Sequence, residues 1–275
     1  MKSIPIYQIE LNTTELCNRV CSFCPRSFDY PNQDFHMTGD TVERLIGQTK
    51  EMTNHIAIAG RGEPLLCKNI HDIIDILVYN TQQVTLVTNG YNLDRNFGWL
   101  NSLLDFSSTH KQKIKHDLDS DFKLVVNCYN GEKKELENTF GKHKGVLFTE
   151  ARLDTPDNMV QLINNSSLTN RGGFLPWKQH KRRDALQKPC YVLWWKTMIN
   201  YNGDVNLCCH NWSDIKSFGN IYDETFKHIW ENSELRLYRE QLLEWNSRRF
   251  FKECATCDAC HNQKKGALIH DEYQK

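Results

Sequence analysis

Short apolar runs recur along the first half of the chain, and each is followed by a polar or glycine-containing segment. The first run, at residues 4–12, alternates apolar and polar positions with the two-residue period of a strand that buries one face. The runs predict five strands, at residues 4–12, 55–60, 83–90, 122–129 and 145–153, and a short sixth strand near residues 166–170.

Segments with a helical spacing of apolar residues lie between these strands. They predict helices at residues 40–52, 69–79, 94–104 and 131–140. In the first helix, Asp40 and Glu43 have the spacing of an N-cap residue and its N3 partner. Repeated strand–helix units favour a parallel sheet with right-handed crossovers. Five or six such units therefore predict an α/β fold with a partial (β/α)6 barrel.

Length and charge narrow the class of protein. A chain of 275 residues suits one large domain, or one domain with a small appendage. Because 34 basic and 34 acidic residues balance, we expect no broad surface for nucleic acid or anionic membrane. No apolar run resembles a secretory signal or approaches the roughly 18–20 residues of a spanning helix. We therefore expect a cytoplasmic protein with no membrane partner.

Eleven cysteines are many for a protein of this size in a reducing compartment, where disulfides are rare. Cys17, Cys21 and Cys24 form a tight C-x3-C-x2-C loop, a spacing typical of metal ligands. A [4Fe–4S] cluster normally takes four thiolates, so three leave one iron open to a ligand that is not protein. Zinc sites favour C-x2-C pairs and a fourth protein ligand, which fits this loop less well.

The cysteine loop is one of three unusual segments that follow predicted strands. The segment GRGEP, at residues 60–64, follows the second strand, and Thr88, Asn89 and Gly90 end the third. In parallel α/β folds, the loops after the carboxyl ends of the strands gather on one face. We therefore expect these three segments to converge on one mouth of the barrel.

The segment ELNTTELCNRVCSFCPRS, at residues 10–27, resembles the signature of the radical S-adenosylmethionine (SAM) superfamily. The aromatic residue before the last cysteine, Phe23, also matches, and GRGEP resembles the glycine-rich segment of that superfamily. The resemblance implies a [4Fe–4S] cluster held by three cysteines, with S-adenosylmethionine on the open iron. One-electron cleavage of this cofactor would yield a 5′-deoxyadenosyl radical that abstracts hydrogen from a substrate. An external one-electron reductant, such as flavodoxin or ferredoxin, would supply the electron.

The resemblance also implies which residues contact S-adenosylmethionine. Gly62 and Glu63 would lie near its amino group, although Arg61 stands where many relatives have a second glycine. Asn127 would reach the ribose and Arg152 the carboxylate, or both would simply be polar residues at strand ends. The implied cofactor-binding residues are Phe23, Gly60, Gly62, Glu63, Asn127 and Arg152.

The last third of the chain resembles the auxiliary-cluster extension of the same superfamily, known in a long SPASM form and a short twitch form. We expect a barrel domain at residues 1–186 and a cysteine-rich domain at 187–275, with a helical stretch at 224–245 packed across its site. Too few suitably spaced cysteines are present for two extra clusters, so we expect one more [4Fe–4S] cluster. Its expected ligands are Cys190, Cys208, Cys254 and Cys257. Cys260 is an alternative to either of the last two, and a zinc knuckle built from the same residues is the alternative centre.

Chain length, the first motif and the later cysteine spacing resemble twitch-containing radical dehydrogenases, such as those acting on 2-deoxy-scyllo-inosamine. This resemblance implies oxidation of a hydroxyl carbon in a small polar, sugar-like or cyclitol-like molecule, with the auxiliary cluster as electron acceptor. It also makes Arg171 the candidate catalytic residue that orients the reacting hydroxyl. Two alternatives stay open, a radical enzyme that modifies peptides by thioether formation or epimerisation, and a non-catalytic zinc-binding interaction module.

Overall fold

The computed structural model describes residues 4, 6–21, 23–53, 55–80, 83–110, 121–129, 132–140, 145–152, 188–212, 216–259 and 267–271. The strands are β1 (Gln8–Asn12), β2 (His55–Ala59), β3 (Gln83–Thr88), β4 (Asp121–Tyr129), β5 (Val146–Arg152), β6 (Lys196–Ile199), β7 (Asp204–Asn206) and β8 (Ser217–Asn220). The α-helices are α1 (Gly39–Thr49), α2 (Ile70–Asn80), α3 (Leu93–His110), α4 (Lys133–Phe140), α5 (Phe226–Glu231) and α6 (Ser233–Gln241).

The described strands form one sheet in the order β5-β4-β3-β2-β1-β6-β7-β8. Strands β1 to β5 are parallel, and each lies beside its predecessor because a helical segment returns the chain to the same end of the sheet. Strand β6 pairs in parallel with the other edge of β1, with Gln8 opposite Lys196. The hairpin β6–β7–β8 then continues the sheet in antiparallel fashion.

The two faces of the sheet differ in polarity. Ile9 and Leu11 on β1 and Ile58 on β2 are completely buried on the face that packs against the helices. The opposite face carries polar groups, where Gln8 contacts His55 and the His55 ring lies 3.1 Å from Thr85 Oγ1. Because successive strand residues alternate between faces, one set of positions builds the core and the other lines an open polar side.

Two helix predictions are wrong in detail. Helix α1 is capped by Thr38, whose hydroxyl accepts a hydrogen bond from Thr41 N, and not by Asp40. The stretch at 224–245 is two helices, because Asn232 leaves the helical conformation and its side chain accepts from Leu235 N at 2.7 Å. A capping side chain at that point starts α6 in a new direction.

The C-terminal extension contacts the segment that precedes β1 through Trp230. Trp230 on α5 is fully buried and its indole N–H donates to the carbonyl oxygen of Ile4 at 3.0 Å. The Arg239 guanidinium stacks 3.9 Å from the centre of the same ring. The division at residue 186, the strand near 166–170 and Arg171 lie outside the described residues, so these stay predictions. None of the described helices is both long and apolar enough to span a membrane.

Candidate active site

A cleft of about 510 Å³ lies at the carboxyl ends of the parallel strands. It brings together the three segments that sequence placed at one mouth of the barrel. Its lining includes Cys17, Cys21, Cys24, Gly60, Gly62, Glu63, Thr88, Asn89 and Asn127. The convergence follows from the parallel topology, because β1, β2, β3 and β4 all end at this edge.

The glycine-rich segment lies directly against the cysteine loop. A Cβ atom on Gly62 would come within 2.7 Å of the Leu16 carbonyl oxygen, and one on Gly60 within 2.8 Å of Asn12 Cα. Gly60 also has φ of +102°, a conformation that side chains disfavour. The glycines therefore permit the close approach of two backbone segments. This packing explains why glycine is needed here even without a contact to a cofactor.

A cluster of buried charged side chains supports the backbone around the cysteine loop. The Arg26 guanidinium donates to the Glu15 carbonyl oxygen at 2.6 Å and to the Arg61 carbonyl oxygen at 2.9 Å. The Glu15 carboxylate lies 3.4 Å from both arginines and accepts from the Tyr30 hydroxyl at 3.0 Å. A buried carboxylate is tolerated only with such partners. None of these four residues was among the predicted site residues, because an isolated charged or phenolic side chain outside a periodic element forms no recognisable sequence pattern.

Glu63 links the glycine-rich segment to the end of β3. Its carboxylate accepts hydrogen bonds from Thr88 Oγ1 at 2.5 Å, from Asn89 N at 2.7 Å and from Leu65 N at 3.0 Å. Burial raises the pKa of Glu63 to about 7, although these donors oppose the shift. The side-chain nitrogen of Asn89, Nδ2, then lies 3.9 Å from Cys17 Sγ. Glu63 thus positions a donor beside the first cysteine.

An aromatic and cationic cluster closes another side of the cleft. The rings of Phe23 and Tyr129 stack with centroids 6.2 Å apart, and Arg19 lies 4.5 Å above Tyr129. Arg19 is held by Glu132 at 3.0 Å. Tyr129 and Arg19 were not among the predicted site residues. The sequence feature that marks Tyr129 is its position at the end of the strand predicted at residues 122–129, and it was not used.

The remaining predicted barrel residues lie on β4 and β5. The side-chain oxygen of Asn127, Oδ1, accepts a hydrogen bond from the Thr149 hydroxyl at 2.9 Å, and both residues line the cleft. Arg152 ends β5 opposite Tyr129, after an irregularity in the strand pairing at Cys128. Asn127 therefore lies inside the cleft. The backbone of Arg152 lies beside Tyr129, another residue of the cleft lining.

An ion pair lies on the polar side of the sheet beside the cleft. Lys196 Nζ is 3.1 Å from Glu10 Oε2. Burial would lower the pKa of Lys196, but Cys209 and Glu10 outweigh it and raise that pKa. Lys196 therefore stays charged, next to two residues, Glu10 and Cys209, that line the cleft. This pair was not predicted from the sequence, because it depends on β6 pairing with β1.

The first cysteine set offers a donor group suited to an iron–sulfur cluster. Cys17, Cys21 and Cys24 all line the one cleft, and the Cys24 backbone N–H donates to the Cys21 carbonyl at 2.8 Å in a tight turn. Burial raises the pKa of the Cys17 thiol. Bound iron reverses that balance, because a coordinated thiol is deprotonated.

The second cysteine set comes together from distant parts of the chain. Burial raises the pKa of Cys208 and Cys254 well above the ordinary value, and each is raised further by Cys190 and Cys257. Cys208 and Cys254 therefore each lie near further thiols, which fits a site where a metal compensates the charge of several thiolates. Among the described residues, no three Cys, His, Asp or Glu side chains converge on a single-ion site. Cys260, the alternative ligand, lies outside the described residues.

The sequence matches the models of two protein families. Residues 11–124 match the Radical SAM superfamily, and residues 190–261 match the SPASM iron-sulfur cluster-binding domain. With the fold and the two cysteine sets, these matches show that the chain belongs to the radical SAM superfamily and carries a SPASM-type extension. It is therefore a radical SAM enzyme, and its cofactors are S-adenosylmethionine and [4Fe–4S] clusters. The alternative of a non-catalytic zinc module does not hold.

The chain is also similar to individual proteins, two of them over nearly its whole length. An S-adenosyl-L-methionine-dependent 2-deoxy-scyllo-inosamine dehydrogenase from Niallia circulans is 24% identical over 267 residues, covering 92% of each chain. A GTP 3′,8-cyclase from Mannheimia succiniciproducens is 30% identical over 94 residues, 32% of this chain and 28% of the cyclase. The crystal structure of BtrN in complex with AdoMet and 2-DOIA has a TM-score of 0.70 at 21% identity, covering 94% of this chain and 95% of BtrN. This likeness confirms the predicted α/β partial-barrel fold.

Proposed function

We propose that the protein oxidises a hydroxyl carbon of a small polar molecule, sugar-like or cyclitol-like, to a ketone. One observation carries the proposal. The cleft that contains the first cysteine set is also lined by Cys209, whose chain neighbour Cys208 belongs to the second set. A substrate in this cleft would therefore lie between a site that generates a radical and a site that accepts an electron.

The relatives support this choice of reaction. The relative from Niallia circulans, whose alignment with this chain covers 92% of both proteins, is named a 2-deoxy-scyllo-inosamine dehydrogenase. The polar lining of the cleft, with Glu10, Asn127 and Thr149, suits a substrate rich in hydroxyl groups. A peptide substrate has no comparable support among the described residues.

Cys17, Cys21 and Cys24 would hold the first cluster, and Cys190, Cys208, Cys254 and Cys257 the second. When bound, the first cluster and S-adenosylmethionine supply a hydrogen-abstracting radical, and the second cluster supplies an electron acceptor. An external one-electron carrier of the flavodoxin or ferredoxin type would reduce the first cluster.

The chain's own residues would bind and orient the reactants. Gly62, Glu63, Phe23 and Asn127 all line the cleft. Gly62 and Glu63 would border the methionine end of the cofactor, and Phe23 and Asn127 would border its nucleoside. Gly60 allows the glycine-rich segment to lie close to Asn12 at the end of β1. Arg152, at the end of β5, is proposed to pair with the carboxylate of S-adenosylmethionine.

Glu10 would accept the hydroxyl proton of the substrate, with Lys196 Nζ held 3.1 Å from its carboxylate. Loss of one hydrogen atom, one proton and one electron converts the alcohol to a ketone, so the reaction balances. Arg171 is proposed to orient the same hydroxyl. Because Cys209 lies beside this pair, the proposed position of the reacting carbon is close to the second cysteine set.

The test uses anaerobically reconstituted enzyme and 2-deoxy-scyllo-inosamine deuterated at the hydroxyl-bearing carbons. We expect deuterium in the 5′-deoxyadenosine and one ketone formed per 5′-deoxyadenosine. Replacing Cys254 and Cys257 by alanine should leave hydrogen abstraction measurable and suppress the ketone. Ketone formation at an unchanged rate in that variant would show that the second set is not the electron acceptor. Deuterium-free 5′-deoxyadenosine with a panel of such polyols would count against the substrate class.

A further inference from the structure

Arg248 lies within the second cysteine set. Its side chain is 1% exposed, and Nη1 lies 4.0 Å from Cys257 Sγ. The same nitrogen donates to the Ala259 carbonyl oxygen at 2.7 Å, and Nη2 donates to the Pro189 carbonyl oxygen at 3.3 Å. One guanidinium therefore joins the segment before Cys190 to the segment after Cys257.

The charge of Arg248 lacks an ordinary partner. Within the part of the chain that the structure describes, its Nη atoms contact two carbonyl oxygens and a sulfur rather than a carboxylate, and its buried Nε has no hydrogen-bond acceptor. A buried, unpaired cation is costly unless a negative centre lies beside it. The group that does lie beside it is the thiol of Cys257, whose sulfur is 4.0 Å from Nη1.

Cys257 receives a second N–H group from the backbone. The amide of Ala259 lies 3.4 Å from Cys257 Sγ, so this sulfur faces two donors. Hydrogen bonds to the sulfurs and the net charge around a cluster set its reduction potential. A fixed positive charge favours the reduced, more negative state of such a cluster.

We propose that Arg248 is a positioning residue that raises the reduction potential of the auxiliary cluster through its contact with the Cys257 sulfur. The inference rests on the proposed function only in placing a cluster at the second cysteine set. Its direction suits an electron acceptor, because a higher potential makes electron transfer from the substrate radical more favourable. Arginine fits the role better than lysine, since its rigid fork holds two carbonyls while one edge faces the sulfur.

The experiment measures the potential of each cluster by anaerobic redox titration with EPR detection, without substrate. Arg248→Met keeps the apolar stem and removes the charge. We expect it to lower the potential of the auxiliary cluster so that accepting one electron is at least tenfold less favourable, which corresponds to 59 mV. Arg248→Lys, which keeps the charge, should recover part of the loss. The potential of the first cluster should not move.

Arg239→Met is the matched control. Arg239 is equally buried in the same extension, but it donates to the carbonyl oxygens of Leu193 and Trp230 and stacks on Trp230. Its loss should destabilise the extension and leave the potential unchanged. An unchanged potential in Arg248→Met with full iron content overturns the inference, as does an equal shift in Arg239→Met or a wild-type protein without a second cluster signal.

If Arg248→Met fails to load iron, Arg248→Gln carries the test with the same expected sign, because glutamine is neutral and still donates to a carbonyl. Because no substrate is present, these outcomes are independent of whether the protein oxidises an alcohol.

Discussion

The side-chain carbonyl of Asn12 accepts a hydrogen bond from the backbone N–H of Arg61 at 2.8 Å. The amide nitrogen of the same side chain donates to Glu15 Oε1 and to Asn200 Oδ1, both at 2.7 Å. Asn12 is fully buried at the end of β1. One side chain therefore connects the cysteine loop, the glycine-rich segment and the turn that follows β6.

Asn12→Ala should destabilise the protein by about 2–4 kcal/mol, because it leaves Arg61 N and the polar atoms facing it without partners. Denaturant unfolding under anaerobic conditions measures the change. Asn202→Ala is the control, because Asn202 makes an exposed contact with Asp204 at 2.8 Å. An equal effect of both variants would contradict a special role for Asn12.

Gly62→Ala should displace the glycine-rich segment from the cysteine loop, because the added Cβ would meet the carbonyl oxygens of Thr14 and Leu16. We expect iron loading of the first cluster to fall several-fold, measured after anaerobic reconstitution. Gly47→Ala on α1 is the matched control, since its Cβ would meet no atom within 4 Å. In a helix, this change should stabilise by roughly 0.5–1 kcal/mol. Full loading of Gly62→Ala would refute the packing argument.

Glu63 should make the stability of the metal-free protein depend on pH. Its pKa is raised from 4.5 to about 7 in the folded state, so the folded protein binds a proton that the unfolded chain releases. Stability should therefore fall as pH rises from about 4.5 to 7 and level off above it. In Glu63→Gln this fall in stability should be absent. Thermal unfolding of both proteins between about pH 4.5 and 7 measures the difference. Parallel pH profiles would exclude Glu63 as its source.

Lys196→Met should leave the partly buried Glu10 carboxylate without its partner and cost about 1–3 kcal/mol of folding free energy. Adding Glu10→Gln should recover much of that loss, because the uncompensated charge is then gone. A double-mutant cycle in urea measures the coupling. Additive effects would mean that the pair does not interact in solution.

The two cysteine sets should hold separate clusters. Wild-type protein should contain about eight irons, and replacing either set by serine should leave about four. Cys67→Ala serves as control, because Cys67 is buried on the core side with its thiol 3.8 Å from the Met37 carbonyl oxygen. Four irons in the wild type would leave only the first cluster.

Periodicity along the first 153 residues was enough to predict strands β1 to β5 and the helices between them. Apolar residues such as Ile9, Leu11 and Ile58 recur at the spacing of a buried face, and that spacing is local. The same reasoning predicted that the cysteine loop and the glycine-rich segment share one mouth, because parallel strands end at one edge. The cap of α1 and the break at Asn232 were missed, since several polar residues at each place can cap a helix.

The sequence by itself determined the chemistry of this protein: a three-cysteine loop after the first strand, a glycine-rich segment after the second, and a later set of cysteines. Only the tertiary structure decided which side chains surround those groups. Lys196 meets Glu10 because β6 adds to the open edge of β1, and Arg248 meets Cys257 because the extension folds back on itself. A local spacing carries information about neighbours in the chain, whereas a buried charge finds its partner through long-range packing that no short pattern encodes.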